Sequence, residues 1–340
     1  MKEVGFVAIG RNEGERLKRC LLSLRKVTET VIYVDSGSTD GSIEFAESLG
    51  IEVVDLDTST GFTMARARNA GWRRLLEIAP DAEFVHFIDG DCELLAGWLP
   101  KALAFAAEHP GVAAVCGRRR ERHPKISPYN LLCEIEWNTP VGETHASGGD
   151  VLMRVFPLVS VEGFNDHLIA FEEPDLCRRL RNKGWKIWRL DADMTLHDAN
   201  ILHFRQWWKR HERAGYGAMV ITNICRQTGD ADSVVLFEKQ VKSPRVWALA
   251  VLAMLLVGVP LASIEVGWIG GIALIGIVGT LLGVQSLRIT WSSRHRAPDF
   301  GAALLYGIFT MIAKFPQTIG QLCYAKDRSL GQTAVIIEYK

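Results

Sequence analysis

The clearest fold signal of this chain is Phe84-Val85-His86-Phe87-Ile88-Asp89-Gly90-Asp91, an apolar run that ends in two acidic residues. The apolar residues predict a buried strand, with both carboxylates where the strand ends. Carboxylate oxygens suit Mg²⁺ or Mn²⁺, and Mg²⁺ often completes its shell with water and substrate phosphates. Asp-Gly-Asp is also an ordinary turn signal in which carboxylates accept bonds from backbone amides. The motif alone therefore leaves a metal-diphosphate site and a simple turn as alternatives.

The first hundred residues alternate strand and helix signals. Apolar strand patterns at 4–9, 30–34, 51–54 and 84–88 alternate with helical patterns at 15–24, from 43 onward and at 65–76. This alternation predicts a mostly parallel sheet covered by helices on both faces. Ligands of such sheets bind outside the carboxyl ends of the strands. Five polar residues are expected to converge at that edge: Glu13, Asp35, Arg68, Asp89 and Asp91.

Several motifs in a fixed order together resemble one enzyme family. They are Arg11-Asn12-Glu13, Asp35-Ser36-Gly37-Ser38-Thr39-Asp40-Gly41-Ser42, Gly61-Phe62, Ala67-Arg68-Asn69-Ala70-Gly71, Asp89-Gly90-Asp91, Gly148-Gly149-Asp150, Glu162-Gly163-Phe164-Asn165 and Glu172-Glu173-Pro174-Asp175-Leu176-Cys177. This series resembles family 2 of the inverting glycosyltransferases, over roughly residues 3 to 200. The resemblance implies the GT-A fold, a Rossmann-like, mostly parallel α/β sheet that binds nucleotide-diphospho-sugars.

The resemblance implies a nucleotide-sugar donor, for which we expect a UDP-sugar, and a Mg²⁺ or Mn²⁺ ion that stabilises the leaving diphosphate. Asp91 matches the direct metal ligand, and Asp89 the residue that contacts the ribose or a metal-bound water. Asp35 and Glu13 resemble the residues that hydrogen-bond the uridine base and ribose. Arg68 is a donor fork suited to the diphosphate or to orienting those carboxylates. An exposed helix arginine is the alternative for Arg68.

The downstream part of the match contains two glycines and the candidate base. Gly148 and Gly149 belong to a stretch similar to the family's acceptor-side glycine segment, and we place them with the cofactor-binding residues. Inversion needs a base that deprotonates the acceptor hydroxyl, which contributes typically ~10²–10⁴-fold. Glu173 stands where the family usually has an aspartate, and this longer side chain is a departure. Glu172 and Asp175 are the alternative bases.

The same acidic group has a structural interpretation. Carboxylates favour the N-terminus of a helix, and a proline such as Pro174 fits its first turn. Both interpretations can hold, because a base at a helix start is also well positioned. Further along, His197 follows a strand predicted at 185–190, at a place where relatives complete the metal shell with a histidine. A hydrogen-bonded loop histidine is the alternative.

Residues 203–213 have a weak likeness to the Gln-x-x-Arg-Trp segment of processive polysaccharide synthases. Lys209 and Arg210 occupy the positions where Arg and Trp should be, and this argues against processive polymerisation. The alternative is an amphipathic helix on the membrane surface, with basic residues toward anionic lipid and tryptophans at headgroup level.

The C-terminal third predicts a transmembrane helical hairpin. Uncharged runs at 246–264 and 266–287 each approach the ~20 residues that cross a bilayer, and Glu265 separates them. Lys and Arg on both flanks predict cytoplasmic ends, and with them a cytoplasmic catalytic domain. Lys314 and Pro316 interrupt the third apolar segment, 300–323, which favours an interfacial or re-entrant helix. We therefore predict a GT-A domain over 1–240 and a membrane region over 241–340.

Composition sets limits on the function. Lys and Arg total 39 and so do Asp and Glu, so the net charge of zero gives no support to nucleic-acid binding. Seven cysteines without paired spacing predict reduced thiols and a cytosolic catalytic domain. We expect no cleavable signal before Val4, because the chain enters its first strand at once.

The favoured function is a membrane-anchored, metal-dependent inverting glycosyltransferase of the hexosyltransferase type at the bacterial inner membrane. It would transfer one sugar to a lipid-linked or saccharide hydroxyl in the synthesis of a cell-surface polysaccharide or glycolipid. One alternative is a polyprenyl-phosphate glycosyl synthase, whose ionised acceptor hardly needs a base. Another is a non-catalytic nucleotide-sugar-binding membrane protein, against which the acidic motifs argue.

Overall fold

The computed structural model describes residues 4–59 and 61–331. The ends of the two predicted domains, 1–3 and 332–340, lie outside the described residues. The fold divides into two compact units. We name the first the sheet unit (Met1–His123 and Trp137–Ala199) and the second the helical unit (Pro124–Glu136 and Asn200–Lys340).

The sheet unit is built around one mixed sheet. Its strands within the described residues are β1 Val4–Gly10, β2 Val31–Asp35, β3 Glu52–Asp55, β4 Phe84–Asp89, β5 Cys92–Leu94, β6 Val112–Glu121, β7 Gly142–Glu143, β8 Val151–Arg154 and β9 Lys186–His197. Their order is β3-β2-β1-β4-β8-β6-β9-β5, and β7 pairs with β9. Neighbours from β3 to β4 are parallel, as are β6 and β9. β8 lies antiparallel between β4 and β6.

Helices follow the strands, as the sequence predicts up to β4. Those of the sheet unit are α1 Glu15–Arg25, α2 Ser42–Ser48, α3 Met64–Ile78, α4 Trp98–Glu108, α6 Val155–Ser160 and α7 Glu172–Asn182. In α1 the apolar residues at helical spacing, Leu17, Leu21 and Leu24, are buried against the sheet. α3 approaches β1 closely, since a Cβ on Gly71 would lie 2.2 Å from Cγ1 of Val7. A glycine at this position therefore lets α3 bring its polar residues to the sheet edge.

Strand register places the acidic residues at one edge. Gly10 at the end of β1 pairs with Asp35 of β2, and Ile9 pairs with Asp89 of β4. Because these strands are parallel, their carboxyl ends lie side by side. On the other half of the sheet, His197 of β9 pairs with Cys92 of β5 and also with Glu121 of β6.

The described residues of the helical unit form helices of 5 to 26 residues. They are α5 Pro128–Trp137, whose last residue belongs to the sheet unit, α8 Phe204–Gln227, α9 Ala231–Ala253, a π-helical segment Met254–Gly258, α10 Val259–Val266, α11 Trp268–Ser293, α12 Phe300–Ile312 and α13 Lys314–Ser329. The predicted domain boundary at 240 falls inside α9. Residues 124–136, which we assigned to the GT-A domain, belong to the helical unit.

Three helical segments of this unit are long and apolar enough to cross a membrane: Ala231–Val266, Trp268–Ser293 and Phe300–Ser329. The first two contain the predicted hairpin runs and meet at Gly267, where φ is 80°. Their apolar side chains are exposed, with Ile264 at 77% and Trp268 at 72%. This exposure indicates membrane association. The third segment is divided at Ala313 between α12 and α13, and its interfacial or re-entrant placement stays a prediction.

Candidate active site

Asp89, at the end of β4, lies between two arginines. Its Oδ1 accepts a hydrogen bond from Arg68 of α3 at 2.7 Å, and its Oδ2 accepts one from Arg119 of β6 at 3.3 Å. Arg68 is only 2% exposed, so it is not the exposed helix residue of the alternative interpretation. Both oxygens of Asp89 are thus held in place, which favours a contact with ribose or water over direct metal ligation.

Arg68 connects this carboxylate to the acidic group of α7. Its second terminal nitrogen donates to Oε1 of Glu172 at 2.8 Å. Burial alone would lower the pKa of Arg68, but the carboxylates of Asp89 and Glu172 raise it. The guanidinium therefore orients two carboxylates, which is one of the two roles expected for it.

Asp150 belongs to the glycine motif of the sequence, which gives it no role of its own. It is fully buried and accepts hydrogen bonds from the Asp89 amide at 3.0 Å, from Nε of Arg119 at 3.0 Å and from the Thr195 hydroxyl at 2.6 Å. These bonds join the ends of β4, β6 and β9. Arg119 lies in a run of three arginines. Side chains alternate between the two faces of a strand, so Arg119 shares a face with Glu121, and this alternation is the signal that could have singled it out.

Asp91 and His197 form the candidate metal site. Nε2 of His197 lies 3.3 Å from Oδ2 of Asp91, and possible ligand atoms of these two residues and Cys92 all lie within 4.8 Å of one another. All three side chains are buried. His197 is the last residue of β9 rather than a loop residue. On the other side of the His197 ring, Oε2 of Glu121 lies 3.7 Å from Nδ1 of His197. The Trp137 ring packs edge-on against the His197 ring, with 4.6 Å between the ring centroids.

The chemistry of these side chains fits a divalent cation. Burial lowers the pKa of His197, which favours the neutral ring that a metal ion requires. Burial raises the pKa of the Cys92 thiol well above its usual range, so Cys92 stays protonated and is a poor ligand. Asp91 and His197 together would supply one oxygen and one nitrogen, and leave the remaining positions for phosphate oxygens and water.

The three carboxylates at the start of α7 have different partners. Asp175 accepts hydrogen bonds from Arg178 at 2.9 Å and Arg179 at 2.8 Å, and Glu172 is bound to Arg68. Oε1 of Glu173 accepts bonds from the Ser147 hydroxyl at 2.8 Å, the Ser147 amide and the Cys177 thiol. Within residues 4–59 and 61–331, Glu173 is the one carboxylate of the three without an arginine partner.

The environment of Glu173 suits a general base. The side chain is 6% exposed, and burial raises its pKa, while the bonds from Cys177 and Ser147 act in the opposite direction. A carboxylate with a raised pKa accepts a proton more readily near neutral pH. Asp175, by contrast, is neutralised by two arginines, and Arg179 also donates to the carbonyls of Val161 and Gly163. Asp175 is therefore better explained as a residue that fixes the loop before α7.

Four consecutive residues connect Glu173 to Asp89. Ser147 binds Glu173, and a Cβ on Gly149 would lie 2.7 Å from Oδ2 of Asp89. Gly148 has a φ of 82°, which favours glycine, and Asp150 binds the Asp89 amide. Four residues span at most ~14 Å when fully extended. The candidate base and the Asp89 end of the sheet therefore belong to one site.

Asp35 and Glu13 lie at the neighbouring strand ends. Asp35 is fully buried and accepts a hydrogen bond from the Ser38 amide at 2.8 Å, so it also stabilises the turn after β2. Glu13 pairs with Arg16 at 2.6 Å, and its Cγ would lie 3.5 Å from a Cβ on Gly90, beside the Asp89-Gly90-Asp91 turn. The nucleotide-binding roles expected for both residues stay predictions.

Asn69 is a second motif residue whose role is visible only in the fold. Its side-chain Nδ2 donates to the Phe164 carbonyl and to the Asp166 carboxylate, both at 2.7 Å, and its side-chain Oδ1 accepts a hydrogen bond from the Phe164 backbone amide at 2.9 Å. Asn69 therefore fixes the loop that leads to α7, while the preceding residue, Arg68, binds Glu172. Two adjacent residues of α3 thus position the start of α7.

Comparison with curated proteins gives related sequences. The pre-mycofactocin glycosyltransferase of Mycobacterium tuberculosis is 28% identical over 231 residues, which cover 64% of this chain and 46% of that protein. A TPR repeat-containing protein of Synechococcus elongatus is 28% identical over 141 residues, 41% of this chain and 33% of that protein. An uncharacterized glycosyltransferase of Rickettsia bellii is 42% identical over 53 residues, 16% and 18% of the two chains. This chain covers less than half the length of each of these relatives.

Comparison with solved structures supports the fold. The mannosyltransferase PcManGT from Pyrobaculum calidifontis, solved in complex with GDP-Man and Mn²⁺, superposes with a TM-score of 0.56 at 15% identity. The match covers 94% of this chain and 87% of the mannosyltransferase. At this identity the likeness concerns the fold, and the predicted GT-A type is confirmed. The model of Glycosyl transferase family 2 matches residues 7–145. The predicted resemblance is therefore confirmed for residues 7–145, which match a glycosyltransferase family 2 domain.

Proposed function

We propose that this protein is a metal-dependent inverting glycosyltransferase. It would move one sugar from a nucleoside-diphosphate sugar to a hydroxyl of a lipid-linked or saccharide acceptor. The observation that carries this proposal is the segment Ser147–Asp150, which contacts Glu173 at one end and Asp89 at the other. A candidate base and a candidate donor site thus lie within one short stretch of chain, as a direct transfer requires.

Asp91 and His197 are the residues that would hold the metal ion. Such an ion stabilises the negative charge that develops on the leaving diphosphate. Asp89, fixed by Arg68 and Arg119, would present a rigid carboxylate to the ribose or to a water molecule. We expect uridine in the donor, and the structural neighbour bound to GDP-Man makes guanosine the second nucleotide to test.

Glu173 would act as the general base. The acceptor oxygen attacks the anomeric carbon opposite the diphosphate, and its proton passes to the Glu173 carboxylate. One carbon–oxygen bond forms as the bond to the diphosphate breaks, so that the anomeric configuration inverts. A hydroxyl acceptor is favoured over a lipid phosphate, because Glu173 is buried, forms no ion pair with an arginine among the described residues, and has a raised pKa.

We place the enzyme at the cytoplasmic face of the bacterial inner membrane, in the synthesis of a cell-surface polysaccharide or glycolipid. The apolar helices Ala231–Val266 and Trp268–Ser293 support a membrane location. Basic residues before the uncharged run 246–264 and after Ser293, such as Lys242 and Arg294, support cytoplasmic ends.

A donor panel tests the proposal. Membranes that contain the full chain are incubated with labelled UDP-, GDP- and TDP-sugars in Mn²⁺ or Mg²⁺, and the label is followed into lipid and saccharide extracts. Membranes with the Glu173→Gln variant are the matched control. We expect transfer from one nucleotide class, inversion of the anomeric centre in the product, and no transfer in excess chelator. Retention of configuration, or full activity in chelator, would contradict the proposal.

A further inference from the structure

We propose that Ser147 and Cys177 are positioning residues that hold Glu173 by its Oε1 atom and so direct Oε2 toward the acceptor hydroxyl. The inference rests on the proposed function, since it names the residues that would orient the general base. It assigns to both residues a role that differs from donor binding and from metal binding.

Three donors converge on the same carboxylate oxygen. The Ser147 hydroxyl lies 2.8 Å from Oε1 of Glu173, the Cys177 thiol lies 2.9 Å from it, and the Ser147 amide also donates to it. None of these three bonds involves Oε2. A carboxylate that is fixed through one oxygen keeps the other in a defined direction, where it can receive a proton.

Ser147 and Cys177 bind Glu173 from two different parts of the fold. Cys177 lies four residues after Glu173 on α7, so both face the same side of the helix. Ser147 precedes β8, in the segment that continues to Gly149 and the contact with Asp89. The Ser147 oxygen and the Cys177 sulfur lie 3.7 Å apart, so the two donors are also adjacent to each other. The segment that contains Ser147 and Gly149 therefore contacts both Glu173 and Asp89, and it fixes the orientation of Glu173 relative to the candidate donor site.

This arrangement matches the length of a glutamate. An aspartate at position 173 would be shorter by one methylene, about 1.5 Å. Its carboxylate would withdraw from Ser147 or from Cys177, because both already lie at hydrogen-bond distance from Glu173. Ser147 and Cys177 therefore fit the longer side chain that this chain has at the base position.

The groups around Glu173 affect the protonation of its donors and its own pKa. Burial raises the pKa of the Cys177 thiol well above its usual range, so the thiol stays protonated and donates. Glu172 of the same helix repels the charged form of Glu173, and from β6 the Cys116 thiol, whose pKa burial raises to about 12, is close enough to interact with it. Loss of a donor should raise the pKa of Glu173, because hydrogen bonds to the ionised form stabilise that form.

The test compares Cys177→Ala, Cys177→Ser and Ser147→Ala in the full chain by measuring kcat against pH at saturating donor. We expect Cys177→Ala and Ser147→Ala each to lower kcat by about fivefold, the effect of one lost hydrogen bond. We expect the acidic limb of both profiles to move to higher pH. Cys177→Ser keeps a donor and should restore both kcat and the limb. Cys116→Ala, which removes a nearby buried thiol that does not bind Glu173, is the matched control.

The outcomes separate this inference from the proposed function. Unchanged kcat and an unchanged acidic limb in Cys177→Ala would overturn the positioning role, and so would a Cys177→Ser variant as impaired as Cys177→Ala. Near-normal turnover of Glu173→Gln would instead overturn the base assignment itself. Nucleotide affinity and the thermal unfolding midpoint of each variant report on folding. If Cys177→Ala does not fold, Ser147→Ala decides the question from the other side of Glu173.

Discussion

Gly149 packs directly against Asp89, so that a Cβ atom on Gly149 would lie 2.7 Å from Oδ2 of the carboxylate. The same Cβ would lie 3.0 Å from a terminal nitrogen of Arg68 and 3.1 Å from one of Arg119. The backbone at Gly149 therefore covers the charge cluster at the end of β4. Any side chain there must displace groups that are held by hydrogen bonds to one another.

Gly149→Ala should reduce turnover by about five- to 150-fold, because insertion of a methyl group into a packed site costs ~1–3 kcal/mol, which corresponds to that range in rate. The measurement is kcat with the donor identified by the nucleotide-sugar panel. Gly111→Ala is the matched control, since no atom lies within 4 Å of a Cβ at that position. Equal activity of the two variants would show that Asp89 need not keep its observed position.

Asp91→Asn should weaken Mn²⁺ binding and lower turnover by at least about a hundredfold, because a metal ion contributes several kcal/mol to the stabilisation of the leaving group. The expectation is checked by titrating Mn²⁺ into the purified protein and by assaying at each concentration. Asp193→Asn removes an exposed carboxylate that pairs with Arg120, and it controls for charge. A wild-type titration curve for Asp91→Asn would remove Asp91 from the metal site.

Glu173→Gln should lower kcat by about two to four orders of magnitude, because it keeps the size of the side chain and removes the base. The affinity for the nucleotide should remain near that of the wild type, and it can be measured by equilibrium binding. Glu172→Gln and Asp175→Asn are the comparison variants. If one of those two loses turnover while Glu173→Gln retains it, the reaction class survives with a different base. Mild effects in all three variants would favour a phosphate acceptor.

The pH dependence of kcat should report the raised pKa of Glu173. The base acts when it is ionised, so activity should fall as the pH decreases through its pKa in the folded protein. Because burial raises that pKa, this fall should occur at higher pH than for an exposed glutamate, whose pKa is ~4.3. A profile of kcat between about pH 4.5 and 9 checks the prediction. A rate that stays constant down to about pH 4.5 would exclude a buried glutamate as the base.

The membrane topology can be tested with reporter fusions. Reporters after Arg245 and after Arg296 should both be cytoplasmic, and one inserted at Glu265 should be periplasmic. A further reporter after Gly331 should be cytoplasmic if Phe300–Ser329 lies at the interface or re-enters, and periplasmic if it crosses. Opposite locations for the fusions after Arg245 and Arg296 would rule out the hairpin.

The sequence predicts the parallel half of the sheet well, because its signals are local. An apolar run and the turn after it are enough to place Asp35 and Asp89 at strand ends, and the register confirms that these ends are adjacent. Asp150 and Arg119 are harder to predict, because their role depends on β8 lying antiparallel between β4 and β6. That arrangement pairs strands far apart in the chain, and no local periodicity encodes it.

The same limit applies to α5 and to Glu173. Residues 124–136 have no composition that distinguishes them from the sheet unit around them, yet they pack in the helical unit. The acidic motif predicts Glu173 as the base and leaves Glu172 and Asp175 as alternatives. Their partners, which the motif does not encode, support Glu173: arginines bind Glu172 and Asp175, and neutral donors bind Glu173.

The strand order has a consequence for how the protein is made. A chain emerges from the ribosome N-terminus first, so β1 to β4 can pair before β8 exists. Until residues 151–154 arrive, the side of β4 that faces away from β1 is an open sheet edge. Open edges offer unpaired amides and carbonyls to strands of other molecules. A truncation that ends near residue 145, where the family match ends, would keep this edge permanently exposed and should aggregate.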